Sequence, residues 1–166
     1  ERGELTATDL LAELDGVEHR LRIRQLDEVL RTGRATVAEI LQPYLRFAAA
    51  AGVQLTEVPN YDVGKWQVST ETGRSLKRAF AIPITNAIAA SATRMSVRVE
   101  RDGDALTVTI EDDAGGFEGK PEHQGRGLDV LGNDAGVAVA VEPTGSGTRV
   151  SCRVELNEDD RVSRAS

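Results

Sequence analysis

Apolar residues recur every three to four positions over the first fifty residues. Leu10, Leu11, Leu14, Val17, Leu21, Leu26, Val29 and Leu30 are separated by charged side chains, the spacing of a helix with one apolar stripe. Gly33 ends this segment, and a second helix opens near Thr36 and runs through Ile40, Leu41, Leu45 and Phe47 to an alanine stretch stopped by Gly52. Pro43 is expected to bend that helix or delay its start. Val53 to Val58 then alternates as a strand does, and Pro59-Asn60 opens a loop ending near Trp66.

Period four returns between Glu71 and Ser91, where Leu76, Phe80, Ile84 and Ile88 form a stripe suited to packing on a sheet, with Pro83 an anomaly inside it. Met95, Val97 and Val99 alternate with polar residues, Asp102-Gly103 supplies a turn, and Leu106, Val108 and Ile110 alternate back. A glycine-rich stretch from Asp113 to Gly127 is too long for a tight turn and is read as a lid. Val137, Val139 and Val141 make a further strand, Pro143 to Gly147 a turn, and Arg149 to Leu156 the return. Asn157 to Ser166 reads as a frayed polar tail.

This order predicts an α+β protein, a two-layer α/β sandwich whose mixed, mostly antiparallel sheet is covered by helices on one face and preceded by amino-terminal helices. The expected division is a helical segment over residues 1–51, a main domain over 52–157 and a disordered tail over 158–166. A chain of 166 residues suffices for one such core. Its 40% apolar and 28% charged residues are ordinary for a globular protein, and 4% aromatic residues make the core aliphatic and leave little for base stacking.

Charge narrows the partners. Twenty Lys and Arg against 27 Asp and Glu leave a net charge of -7, a field that repels nucleic acid and anionic lipid, while a bound nucleotide remains compatible with it through local donors and a cation. The single cysteine, Cys152, makes no internal disulfide and fits a reducing compartment, so a cytoplasmic location is expected, with any membrane anchor elsewhere. No eighteen-residue apolar run occurs.

Four short segments then carry the chemistry: Thr85-Asn86-Ala87 in the long helix, Glu111-Asp112-Asp113-Ala114-Gly115-Gly116-Phe117 at a strand end, Gly125-Arg126-Gly127-Leu128 before a short helix, and Gly145-Ser146-Gly147-Thr148 in the last hairpin. A carboxylate ending a strand can accept from an amine, and paired glycines let backbone approach phosphates beside a helix amino end. Each piece alone reads more simply as a surface residue, a turn or a loop.

In this order the segments resemble the histidine kinase branch of the GHKL ATPases, in particular the catalytic domain of NarL/DesK-like sensor kinases, over about residues 70 to 156. The resemblance implies ATP and magnesium as cofactors. It assigns Asn86 to the metal and the phosphates, Asp112 and Gly116 to adenine, Gly125, Arg126, Gly127 and Leu128 to the phosphates, and Thr148 to the adenine side. The lid would span Gly115 to Arg126.

The departures bear on activity. The family's helix carries a Glu four residues before the Asn, where this chain has Ile82, so the enzymatic reading stays open and no catalytic residue is assigned. Ala89 and Ala90 stand where a basic residue and a His are usual, and Ala114 replaces a leading glycine. Gly132 and Gly136 interrupt the segment after Gly127. His19 is followed by Arg20 rather than an acid, so it reads as a solvated His on a charged face rather than a phosphoacceptor; neither it nor His123 suggests zinc. The leading function is the ATP-binding domain of a bacterial two-component sensor kinase with weak or no phosphotransfer. It would signal to a response regulator or another signalling protein and dimerise through the amino-terminal helices, without nucleic acid or direct membrane contact. The alternatives are a nucleotide-sensing pseudokinase scaffold and an anti-sigma factor Ser kinase of the same superfamily.

Overall fold

The computed structural model describes residues 7–114, 133 and 136–162, and the side chains of 7–15, 32, 161 and 162 are not among the described atoms. Helix α1 runs Ala7–Thr32 and helix α2 Val37–Ala50. They are joined through a two-residue strand, β1 (Ala35–Thr36). Thr36 starts α2 with a reciprocal cap: its hydroxyl accepts from the Glu39 N–H at 3.2 Å, and the Glu39 carboxylate accepts from the Thr36 N–H at 2.8 Å.

That cap places the start of α2 at Val37, so Pro43 neither delays nor ends it. Pro43 is buried inside the helix and deprives the Glu39 carbonyl of its helical donor, a loss offset by the apolar packing of Ile40, Leu41, Tyr44 and Ala48 on the same element. Strand β2 (Gln54–Glu57) follows Gly52, which takes a positive φ of 85°. The expected loop from Pro59 contains a single helical turn, α3 (Tyr61–Gly64), capped by Asn60, and a second two-residue strand, β3 (Gln67–Val68). β3 pairs antiparallel with β1. Two-residue strands carry no periodic signal, which is why the pattern misses them.

Helix α4 spans Thr70–Ala89 behind an N-cap at Ser69. Leu76, Phe80 and Ile84 are fully buried, Ala79, Pro83 and Ala87 join them, and Ile88 is half-buried. Each large side chain so buried contributes roughly 1.5 to 3 kcal/mol. Pro83 lies on the stripe because its ring is apolar, although it leaves the Ala79 carbonyl without its helical donor. The next polar residue, Thr85, turns its hydroxyl back onto the carbonyls of Ala81 at 2.7 Å and Ile82 at 3.1 Å.

Strands β4 (Arg94–Asp102), β5 (Ala105–Asp112), β6 (Val137–Pro143) and β7 (Thr148–Glu155) complete a five-stranded sheet in the order β2-β4-β5-β7-β6. Only β2 and β4 are parallel. Register rows cross the sheet on one face: Val97, Ile110, Val150 and Val141, then Val99, Val108, Cys152 and Val139. These rows face the helices and form the core with α1, α2 and α4. The other face is polar, where Glu57, Arg98, Glu111, Arg149 and Glu142 alternate in charge across all five strands with N–O separations of 3.2 to 3.5 Å. The result is the two-layer α+β sandwich that the pattern predicts, with a mixed, mostly antiparallel sheet.

Two expectations change. Among the described side chains of the α1 stripe, Leu26 and Leu30 are buried, while Val17, Leu21 and Val29 are exposed. Residues 158–162, placed by composition in a disordered tail, form a short helix, α5 (Glu158–Val162). Asp160 of α5 is 2% exposed, and its carboxylate accepts from the Ser69 N–H at 2.6 Å, the Ser69 hydroxyl at 3.1 Å and the Thr72 hydroxyl. One acid thus fixes the segment against the start of α4, which no local pattern announces. Residues 163–166 lie outside the described residues.

Candidate functional site

The outermost row on the helix-facing side of the sheet is Met95, Asp112, Thr148 and Pro143. It continues the apolar rows by one step of the two-residue period, so Asp112 and Thr148 share the core's face at the edge of the sandwich. Met95 is buried, while Asp112 and Thr148 are half-buried: the row turns polar where the core ends.

Asp112 and Asp113 are adjacent carboxylates with opposite surroundings. The Asp113 carboxylate accepts from the N–H groups of Thr93 at 2.8 Å and Arg94 at 2.9 Å and from the Thr93 hydroxyl, and these bonds hold it down at about 2. It is a clamp on the start of β4. Asp112 is pushed upward, chiefly by burial, against the lowering effect of one hydrogen bond from the Ala114 N–H at 2.9 Å; the charges of Asp113 and Glu111 add to the rise. Its Oδ1 carries that bond, so the carboxylate keeps accepting capacity for an incoming donor. Of the two acids, Asp112 carries the fewer hydrogen bonds among the described residues.

Gly147 closes one wall. A Cβ at this position would fall 1.8 Å from the Asp112 carbonyl oxygen and 2.7 Å from its carbon, so only glycine allows the two backbones this approach. The turn Thr144 to Gly147 sets that position: the Thr144 N–H donates to the Gly147 carbonyl at 2.9 Å, and the Gly147 N–H donates to the Thr144 hydroxyl at 2.9 Å. Gly147 stands in the fourth of the sequence motifs, whereas Thr144, which holds it in place, reads in the sequence only as part of the Pro143 to Gly147 turn. The signal was a glycine directly before Thr148 opposite a strand end, which register alone interprets.

Asn86 lies half-buried in the last turn of α4. The chain leaves α4 through Ser91, a non-glycine residue at φ 63°, and enters β4 at Arg94, where Asp113 holds it. The carboxyl end of α4 and the end of β5 therefore meet at one end of the sandwich, which brings Asn86 to the same end as Asp112 and Thr148. The Asn86 side-chain amide has no hydrogen-bond partner among the described residues. Ile82, one turn earlier, is half-buried and packs on the hydrophobic core. Gly116, Gly125, Arg126, Gly127, Leu128, His123 and the lid span 115–126 lie outside the described residues.

His19 departs from the solvated position read from its neighbours. Its ring stacks on Phe47 with centroids 4.1 Å apart and meets Tyr44 edge-on at 6.0 Å. No group of three or more His, Cys, Asp or Glu side chains that could hold a metal occurs among the described residues. Nor is any helix of those residues long and apolar enough to cross a membrane.

No protein-family model matches the sequence, and no curated protein matches it at a significant level. Solved structures do match in fold. The histidine kinase domain of a blue-light activated histidine kinase from Erythrobacter litoralis is similar at TM-score 0.62 and 19% identity, over 89% of this chain and 76% of that one. The ATP binding domain of PrrB from Mycobacterium tuberculosis is similar at TM-score 0.58 and 18% identity, over 75% and 97%. The Acinetobacter baumannii histidine kinase AdeS is similar at TM-score 0.56 and 14% identity, over 95% and 87%. The chain shares the fold of these histidine kinase and ATP binding domains.

Proposed function

We propose that this chain binds ATP as the catalytic domain of a bacterial sensor histidine kinase. The carrying observation is the half-buried Asp112 carboxylate, whose remaining acceptor capacity faces the helix layer beside Thr148 and behind the glycine wall of Gly147. An acceptor in that setting suits the exocyclic amine of adenine and disfavours guanine, which presents a carbonyl there. Thr148 adds a hydroxyl on the same row. The unpartnered Asn86 amide supplies one hard oxygen, which fits a magnesium ion held mainly by the nucleotide's own phosphates. Such a cation would offset phosphate charge. Gly116, Gly125, Arg126, Gly127 and Leu128 belong to the same proposal through the resemblance of their motifs.

A histidine kinase domain of this kind signals to a response regulator or a related partner from the cytoplasm, and the amino-terminal helices would serve dimerisation. The long α1 leading into the domain favours this reading over a free-standing anti-sigma factor kinase. A second reading, a nucleotide-sensing scaffold without phosphotransfer, draws on Ile82: an aliphatic side chain packed on the core stands where the resemblance calls for a carboxylate. Calorimetry with ATP, with GTP and with ATP plus magnesium tests the binding proposal. Saturable ATP binding that exceeds GTP binding is expected; no ATP binding, or no preference over GTP, overturns it. Binding with transfer to a supplied dimerisation domain marks a kinase, and binding without it the scaffold.

A further inference from the structure

His19 joins the two amino-terminal helices through a ring that packs on α2 and carries a buried nitrogen without a hydrogen-bond partner among the described residues. Its ring lies on α1 and packs on α2, stacked on Phe47 at an interplanar angle of 19° and edge-on to Tyr44 at 72°. An interaction with the Pro43 backbone opposes the effect of burial on the ring. Nδ1 is buried with no partner among the described residues, a place that disfavours an N–H there and so favours the neutral ring. Protonation would place an N–H at Nδ1, where the described residues offer no acceptor.

The charges around it do not help an imidazolium. A cavity of about 60 Å³ beside the ring is lined by Glu18 and Arg22 of α1 and by Arg46 of α2, with Pro43 and Phe47 closing it. The Glu18 carboxylate is already paired with Arg22. Two guanidiniums against one committed carboxylate leave the cavity net positive before His19 takes a proton. Tyr44, the other titratable group against the ring, is pushed above its ordinary value by burial and stays neutral.

We propose that His19 is a proton-sensitive pin: neutral, it holds α1 on α2, and protonated, it releases the part of α1 around it while the rest of the domain stays folded. Burial lowers the imidazole below its ordinary value of 6.5, in agreement with that geometry. The docked form binds the proton less well than the released form, so docking is at full strength above pH 6.5 and weakens as pH falls through that value. Leu26 and Leu30, buried further along α1, confine the release to the turns before them.

Two measurements on the whole chain test this. An NMR titration of the His19 ring is expected to give a midpoint below 6.5, and a midpoint at or above 6.5 overturns the proposal. Hydrogen exchange of the α1 amides around residue 19, corrected for intrinsic rates and compared at about pH 7.5 and about pH 5.5, is expected to show lost protection at the lower pH. The loss should approach roughly tenfold for each pH unit by which the ring is lowered. Amides of β5 are expected to stay unchanged. His19→Phe keeps a stacking ring without a proton and is expected to be flat with pH; His19→Gln serves equally if the Phe variant does not fold. Unchanged protection in the parent, or the same loss in either non-titrating variant, overturns the pin.

Discussion

The backbone of Gly147 rests against the carbonyl of Asp112 so closely that a single added carbon would lie 1.8 Å from the oxygen. Two strand ends are thereby pressed together where the core of the sheet gives way to the polar row of Asp112 and Thr148. Gly147→Ala must push β5 and β7 apart, and a loss of about 1 to 3 kcal/mol in folding stability is expected. Gly145→Ala, two residues earlier with nothing within 4 Å of its added carbon, is the control and should cost far less. Urea unfolding of both variants reads the difference.

Asp112→Asn replaces an acceptor by a mixed donor and acceptor, and ATP binding is expected to weaken by about 1 to 3 kcal/mol. Because burial raises the Asp112 carboxyl above the ordinary 3.8, the parent loses its ionised acceptor earlier on acidification than a solvated Asp does. Affinity for ATP should therefore fall as pH drops through that raised value. Calorimetry of the parent across the acid range, with Asp112→Asn showing no such decline, checks both statements.

Asp113 has the opposite sign. Its folded value of about 2 lies below the ordinary 3.8, so its contribution to stability is full above pH 3.8 and disappears as pH falls toward 2. Asp113→Asn is expected to be less stable than the parent at neutral pH and to match it near the acid end. Thermal unfolding against pH decides this, and a constant gap between the two proteins contradicts the clamp on Thr93 and Arg94.

Asp160 carries the docking of α5. Removing its carboxylate in Asp160→Ala leaves the Ser69 N–H and the Ser69 and Thr72 hydroxyls without their acceptor in a buried place. About 1 to 3 kcal/mol of stability should be lost, more if the Arg34 guanidinium 3.7 Å away is left uncompensated. Denaturant unfolding gives the number, and a chain truncated before Glu158 should show a comparable loss.

Phosphotransfer by the chain alone is expected to be negligible. Loss of a general base costs a factor of about 100 to 10,000, and Ile82 cannot act as one. Ile82→Glu should raise labelling of an added acceptor helix only to the extent that a carboxylate leaves the apolar contacts Ile82 now makes, so the same substitution is expected to reduce stability. Ordinary kinase labelling of His19 in the parent would contradict this account, since that ring is packed between two helices.

The long helices and both hairpins were legible in the chain because their periods are local: Leu76, Phe80 and Ile84 repeat every four residues, and Val97, Val99, Val108 and Ile110 every two, and each repeat can bury only one face. The order of the four motifs likewise stood in the sequence. What the tertiary structure alone decided are relations between residues far apart in the chain. Asp112 and Asp113 are chemically equal neighbours, and only the register that sets one opposite Thr148 and the bonds that tie the other to Thr93 and Arg94 divide recognition from clamping. His19 reads as solvated beside Arg20 and is packed because α2 folds back over it. Asp160 looks like one more acid in a polar tail, yet it is buried because the two hydroxyls and the N–H that donate to it lie some ninety residues away, where no periodicity reaches.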